Sequence, residues 1–173
     1  MNLHINSTTE KSEVFRQIAS ELSKLGFKIE KQDETRPWGG FFVLDENQAH
    51  AFAAQYFPHL EMSEIEITQK LSPKILVVAP QKRLSWQYHF RRAEIWKVIA
   101  GTTVGVKISD TDEQSDNVKV LESGGFIQLD KGERHRLIGL NGWGVVAEIW
   151  QHTDSENPSD EDDIVRLQDD FGR

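Results

Sequence analysis

The segment PQKRLSWQYHFRRAEIWKVIAG, Pro80 to Gly101, places an amide, an imidazole and a carboxylate at Gln87, His89 and Glu94, and a small-residue turn seven positions later at Gly101. Side chains two apart on a strand share a face, so Gln87 and His89 project together. A carboxylate returning after a turn then converges with them on one metal ion. The best candidate for a fourth ligand is His135, in GGFIQLDKGERHRLIG, just past a turn at Gly132 and at the opening of a new apolar strand. The other histidines, His4, His50, His59 and His152, lie in segments that read as terminus, helix, helix end and loop, and none is better placed.

Outward from this segment the pattern is that of a β protein. From Lys74 the apolar runs are short and closely spaced: Ile75 to Val78, Trp96 to Ala100, Thr103 to Ile108, Val118 to Leu121, Phe126 to Leu129, Arg136 to Leu140 and Val145 to Trp150. Many short strands separated by Gly and Asp turns predict a sandwich or a closed barrel. Upstream the period changes. Val14, Ile18, Leu22 and Leu25 recur at helical spacing up to Gly26, and Ser7-Thr8-Thr9-Glu10 has the form of a capping box, so a helix is expected over Thr8 to Leu25. Its apolar stripe is expected against the outside of the main domain, with a dimer contact as the alternative. Phe27 to Ile29 predicts a short strand, Arg36 to Gly40 a turn into the apolar run Phe41 to Leu44, and Ala49 to Tyr56 a second helix ended by Pro58. Helices are thus expected only before about residue 60. Glu61 to Gln69 is left unassigned.

Composition fits one soluble domain. The chain has 173 residues, 38% of them hydrophobic, enough for a single core. Its formal charge is −8, which disfavours nucleic acid and anionic membranes as partners. Most of that excess lies in Asp154 to Arg173, with eight acidic residues against two arginines, so the rest of the chain is near balance and has room for a positive pocket. Cysteine is absent, which leaves only nitrogen and oxygen donors for a metal. The N-terminus lacks an apolar signal region and no run is long enough to span a membrane, so a cytoplasmic location is expected.

Four segments carry a resemblance. LSWQYHFRRAEIW at Leu84 to Trp96 resembles the LSLQxHxHRAExW pattern of the type II mannose-6-phosphate isomerase family of cupins, the C-terminal cupin domain of the mannose-6-phosphate isomerase and GDP-mannose pyrophosphorylase family. RPWG at Arg36 to Gly39, KGERHRL at Lys131 to Leu137, and EDDIVRLQDDFGR at Glu161 to Arg173 match further patterns of that family in order, the last most specifically. The resemblance implies a cupin double-stranded β-helix, a jelly-roll barrel, spanning 36–173 behind an N-terminal helix and lead-in strand at 1–35. A stand-alone unit is expected, without the nucleotidyltransferase domain that often precedes this cupin. Gln87, His89, Glu94 and Gly101 meet every interval of the general cupin pattern, and Gly132 with His135 meets its second part.

The resemblance further implies one divalent metal on Gln87, His89, Glu94 and His135, with zinc favoured and manganese, iron, cobalt and nickel open. The chain departs from the pattern at Arg91, where the family has histidine. If Arg91 faces inward, its guanidinium offers a fork for phosphate or carboxylate. Arg91, Arg92, Lys97 and Arg173 are the candidates for binding substrate, with the tail ending in Arg173 as a lid over the barrel mouth. The implied activity is a metal-dependent aldose-ketose isomerisation of a phosphorylated sugar. The proton-transfer group is left unidentified; Glu148, Lys97 and a metal-bound water are options. The alternatives are a sugar- or anion-binding cupin without turnover, an isomerase of another sugar phosphate such as a heptose phosphate, and an oxygen-using iron cupin.

Overall fold

A computed structural model describes residues 1–172; Arg173 lies outside the described residues. The first helix, Lys11–Lys24 (α1), starts later than the hydroxyl cluster predicts. Asn6 is the cause: its side-chain oxygen accepts from the Thr8 amide at 2.9 Å and from the Thr8 hydroxyl at 2.8 Å, which holds the would-be cap in a turn. No side chain caps the helix. Ala49–Tyr56 (α2) falls where expected, and the unassigned segment contributes one short turn of helix, Met62–Ile65 (α3).

The strands form two antiparallel sheets among the described residues. The first contains, in spatial order, Ile29–Asp33 (β1), Gly39–Leu44 (β2), Lys74–Val78 (β3), Gly144–His152 (β10), Arg92–Gly101 (β5) and Phe126–Leu129 (β8). The second runs Val165–Gln168 (β11), Trp86–Tyr88 (β4), Arg134–Gly139 (β9), Val104–Ser109 (β6) and Lys119–Leu121 (β7). The lead-in strand sits two residues later than Phe27; Phe27 itself is buried among the helices.

Two apolar layers result from period-two alternation. On β5 the side chains of Trp96 and Val98 enter the space between the sheets with Leu76, Val106, Leu137 and Val146. Ile95 points the other way, into a second layer with Ile75, Val77, Ala147 and Ile149, and α1 closes that layer with Val14, Phe15, Ile18 and Leu22. Phe15 stacks on Phe42 with ring centroids 5.1 Å apart. The helix is therefore a lid on the outer face of the first sheet, each of its four buried side chains contributing roughly 1.5 to 3 kcal/mol of transfer free energy. The turn after β5 requires glycine: Gly101 has φ +81, and a Cβ there would lie 2.0 Å from the Trp143 carbonyl oxygen.

Candidate metal centre and adjoining cavity

Strand pairing gathers the candidate ligands. Gln87 on β4 pairs with His135 on β9, and Glu94 rises from the neighbouring sheet beside them. His89 sits just past β4, where the Gly132 amide donates to its carbonyl at 2.9 Å, so the two glycine-bearing motifs are tied directly. Ligand atoms of His89, Glu94 and His135 lie within 4.8 Å of one another, and all three residues are buried.

The hydrogen bonds fix which ring nitrogens face inward. His89 Nδ1 is 2.5 Å from the Asp163 carbonyl and His135 Nδ1 is 2.9 Å from the Glu133 carbonyl. A carbonyl only accepts, so both Nδ1 atoms carry the proton and both Nε2 atoms present lone pairs. Those lone pairs face the Glu94 carboxylate, with His89 Nε2 3.1 Å from one oxygen and His135 Nε2 3.4 Å from the other. Burial depresses the His89 pKa and keeps the imidazole neutral. Burial alone would raise the Glu94 carboxyl; with both imidazoles neutral, the Arg92 guanidinium bonded to it is the charge that opposes burial and favours the carboxylate.

Acceptors converging on one point call for a cation. The Arg92 guanidinium supplies part of it, donating from Nε to Glu94 Oε1 at 2.8 Å and from Nη2 to His89 Nε2 at 3.1 Å. The other half is unanswered: Glu94 Oε2 and His135 Nε2 are buried without a hydrogen-bond partner among the described residues. This donor set suits a divalent ion of the zinc or manganese kind. Gln87 stands beside it, its amide nitrogen 3.5 Å from His89 Nε2 and its oxygen accepting from Ser85 Oγ at 2.6 Å. Turning the amide over would direct the oxygen inward while Ser85 Oγ accepts from the nitrogen.

A cavity of about 210 Å³ opens beside the cluster, and Gln87, Arg92 and Glu94 belong to both. Its wall adds Trp38, Trp96, Trp150 and Glu148, and its cations are Lys31, Arg36, Lys74 and Arg166. Trp150 lies between two of the charges, with Lys74 Nζ 3.7 Å and the Arg92 guanidinium 3.6 Å from ring centroids. Glu148 Oε1 accepts from Trp96 Nε1 at 2.8 Å. Burial, and then the nearby Glu94 charge, push the Glu148 carboxyl up to about 7.

The substrate candidates separate. Arg92 is in the cavity wall. Arg91 is not brought there: its guanidinium donates to Asn157, the Pro158 carbonyl and Asp160, each at 2.9 Å, and the expected inward fork is absent because β4 has already ended at Tyr88. Lys97, three residues from Glu94 on one strand, takes the opposite face and does not line the cavity. Arg173 lies outside the described residues. The tail before it is a strand of the second sheet, pairing Arg166 with Gln87, and contributes Glu161, Ile164 and Arg166 to the wall.

Asp163 is a residue the sequence reading passed over. Its carboxylate accepts from the amides of Phe90 and Arg91, each at 3.0 Å, and from Ser159 Oγ at 2.7 Å, so it holds the turn that carries His89. The signal was present in the EDDIVR tail, whose second aspartate has no reason of its own to be buried.

Comparison with known proteins agrees with this architecture. The family model described as mannose-6-phosphate isomerase C-terminal matches residues 44–169. A mannose-1-phosphate guanylyltransferase of Salmonella montevideo is 31% identical over 118 residues, 68% of this chain and 23% of the relative. The xanthan biosynthesis protein XanB of Xanthomonas campestris pv. campestris (strain B100) matches to the same extent, 31% over 118 residues, again 68% of this chain and 23% of its own. The chain thus spans about a quarter of the curated relatives it matches. Among solved structures, a recombinant oxalate oxidase in complex with glycolate superposes with TM-score 0.52 at 18% identity, covering 81% of this chain and 61% of that one. The capsular polysaccharide assembling protein CapF from Staphylococcus aureus superposes with TM-score 0.52 at 11% identity over 80% of this chain and 34% of that one. At these identities the likeness is one of fold, the cupin jelly roll.

Proposed function

The chain belongs to the family of mannose-6-phosphate isomerase C-terminal domains, and from that premise we propose that it is a metal-dependent aldose-ketose isomerase acting on a phosphorylated sugar. The supporting observation is one of adjacency. A cluster of metal-competent lone pairs and a cavity rimmed by Lys31, Arg36, Lys74 and Arg166 share the Glu94 side chain. His89, Glu94 and His135 would hold the metal, with Gln87 as the fourth ligand. When bound, the ion acts as a Lewis acid that lowers the energy of negative charge developing on the substrate's carbonyl oxygen.

The chain's own residues do the rest. The cavity's cations hold the phosphate in place of Arg91, Trp150 and Trp38 offer apolar faces to the sugar, and the tail strand excludes water from one side. A guanylyltransferase relative handles a mannose phosphate by name, which agrees with this substrate class.

A second reading has its own observation. Arg92 already occupies two of the metal-competent atoms, which favours a sugar-phosphate-binding cupin without turnover. Isothermal titration with a hexose phosphate and its unphosphorylated parent tests what the readings share: the phosphorylated ligand should bind at least tenfold tighter. Equal affinity for the two ligands would remove the sugar-phosphate assignment altogether.

A further inference from the structure

Among the described residues three carboxylates line the cavity, and two are engaged. Glu94 is bonded to Arg92, and Glu161 is paired with Lys74. Glu148 differs: it is 4% exposed, accepts one hydrogen bond, from Trp96 Nε1, and forms no ion pair among the described residues. Burying a carboxyl without an ion-pair bond costs folding free energy, and its nearest cations, Lys74 opposite it on β3 and Arg92 on β5, are bonded instead to Glu161 and Glu94. Its place on β10 is opposite Trp96 on β5, and two residues along that pairing Glu94 faces Trp150, so Glu148 lies one step along the cavity wall from the metal cluster. That separation suits a group that works on the carbon skeleton of a sugar whose oxygens lie nearer the cluster.

We propose that Glu148 is the proton-transfer residue of the isomerisation, taking the hydrogen from C2 of a bound aldose phosphate and returning it to C1. The inference rests on the isomerase reading above. The carboxylate oxygen removes the C2 proton, the C2–H electron pair becomes the C1–C2 double bond, and the carbonyl oxygen takes the negative charge as an enediolate. The O2 hydroxyl proton then passes to O1, O2 becomes the new carbonyl, and the protonated Glu148 delivers its proton to C1. One proton leaves carbon and one returns, so no oxidant or reductant is required. A carboxyl that lines the cavity with one hydrogen bond and no ion-pair bond among the described residues is placed to take a proton from one carbon and return it to the next. The groups facing it are Glu94 and Arg92 from β5 and Lys74 from β3.

The test is Glu148→Gln in the full metal-loaded chain, assayed on hexose 6-phosphates. The amide keeps an oxygen for Trp96 and removes only the proton carrier, so the thermal transition and metal content should match wild type. We expect kcat to fall at least 100-fold with KM within threefold. Wild type given an aldose deuterated at C2 should pass the label to C1 of the ketose or lose it to water by exchange of the carboxyl proton, and the variant should give neither transfer nor washout. A variant with kcat within tenfold of wild type, or one that still transfers or washes out the label, overturns the role of Glu148 and leaves the isomerase reading standing. Wild type that neither converts nor washes out the label overturns both.

Discussion

Arg92 Nη2 lies 3.1 Å from His89 Nε2, so a guanidinium occupies the lone pair that a metal would use. The same side chain bonds Glu94, Ser159 and the Asp160 carbonyl and covers Trp150, which makes it the internal counter-charge of the barrel. In metal-free protein, Arg92→Met should cost about 3 to 5 kcal/mol, the range for stranding one member of a buried charge pair. Added zinc should recover much of that loss, because the ion takes over the vacated acceptors. Urea unfolding of both proteins with and without zinc makes the comparison; equal destabilisation in the two conditions would separate Arg92 from the metal site.

Metal content should depend on the orphaned atoms. Protein purified without chelator should carry close to one equivalent of a divalent ion. His135→Ala, which deletes a buried lone pair with no hydrogen-bond partner among the described residues, should remove most of it. Elemental analysis reads the result, and unchanged content would exclude His135 as a ligand.

Asp163 should matter although it touches no metal. Asp163→Ala removes the acceptor of two backbone amides and a hydroxyl and loosens the turn that orients His89. A loss of about 2 to 3 kcal/mol in stability, and a fall of about 10- to 100-fold in metal affinity, are expected. Retained affinity with reduced stability would confine Asp163 to folding.

Phosphate recognition should follow the cavity rather than the family pattern. Arg36→Ala should weaken a sugar phosphate by about 1.5 to 3 kcal/mol, the range for a charge-assisted hydrogen bond. Arg91→Ala should leave that affinity within twofold, because its guanidinium is spent on Asn157, Pro158 and Asp160. Titration calorimetry distinguishes them, and the reverse ranking would restore Arg91 to the site.

His152 gives the fold an acid limit. It is fully buried, its Nδ1 accepts from the Ser159 amide and its Nε2 meets Ser72 Oγ; burial pushes its pKa down to about 4. The folded value is below the unfolded one, so the unfolded chain binds the extra proton first. The stabilisation is complete above about pH 6.5 and is lost as pH falls toward 4, up to about 3 kcal/mol. Unfolding free energies of wild type and His152→Asn measured over that window should converge; parallel curves would assign the acid limit elsewhere.

Much of this was legible from spacing. The change from helical to two-residue period at Lys74 marks the barrel, and the intervals around Gln87, His89, Glu94 and His135 bring those four residues together. Strand parity alone would have excluded Lys97, an odd step from Glu94 on one strand. Arg91 misled because its even step from His89 means nothing once β4 stops at Tyr88. Arg36 and Trp38 border the cavity from the RPWG motif and Asp163 belongs to the EDDIVR tail, both segments that carry the family resemblance, whereas Lys74 reaches the site by long-range strand pairing that no local pattern encodes. The late start of α1 has a local cause, since Asn6 takes the Thr8 amide that a helix capped at Ser7 would have opened with.

Isomerisation of a sugar phosphate by one metal and this cavity together, as proposed, is checked by nuclear magnetic resonance of a panel of aldose 6-phosphates, mannose 6-phosphate included, incubated with metal-loaded, chelator-stripped and metal-restored protein. At least one aldose should be converted to its ketose, with conversion lost on stripping and regained on restoring one equivalent of metal. Protein that holds one equivalent of metal and binds the sugar phosphates, yet converts none of them, would refute the isomerase proposal.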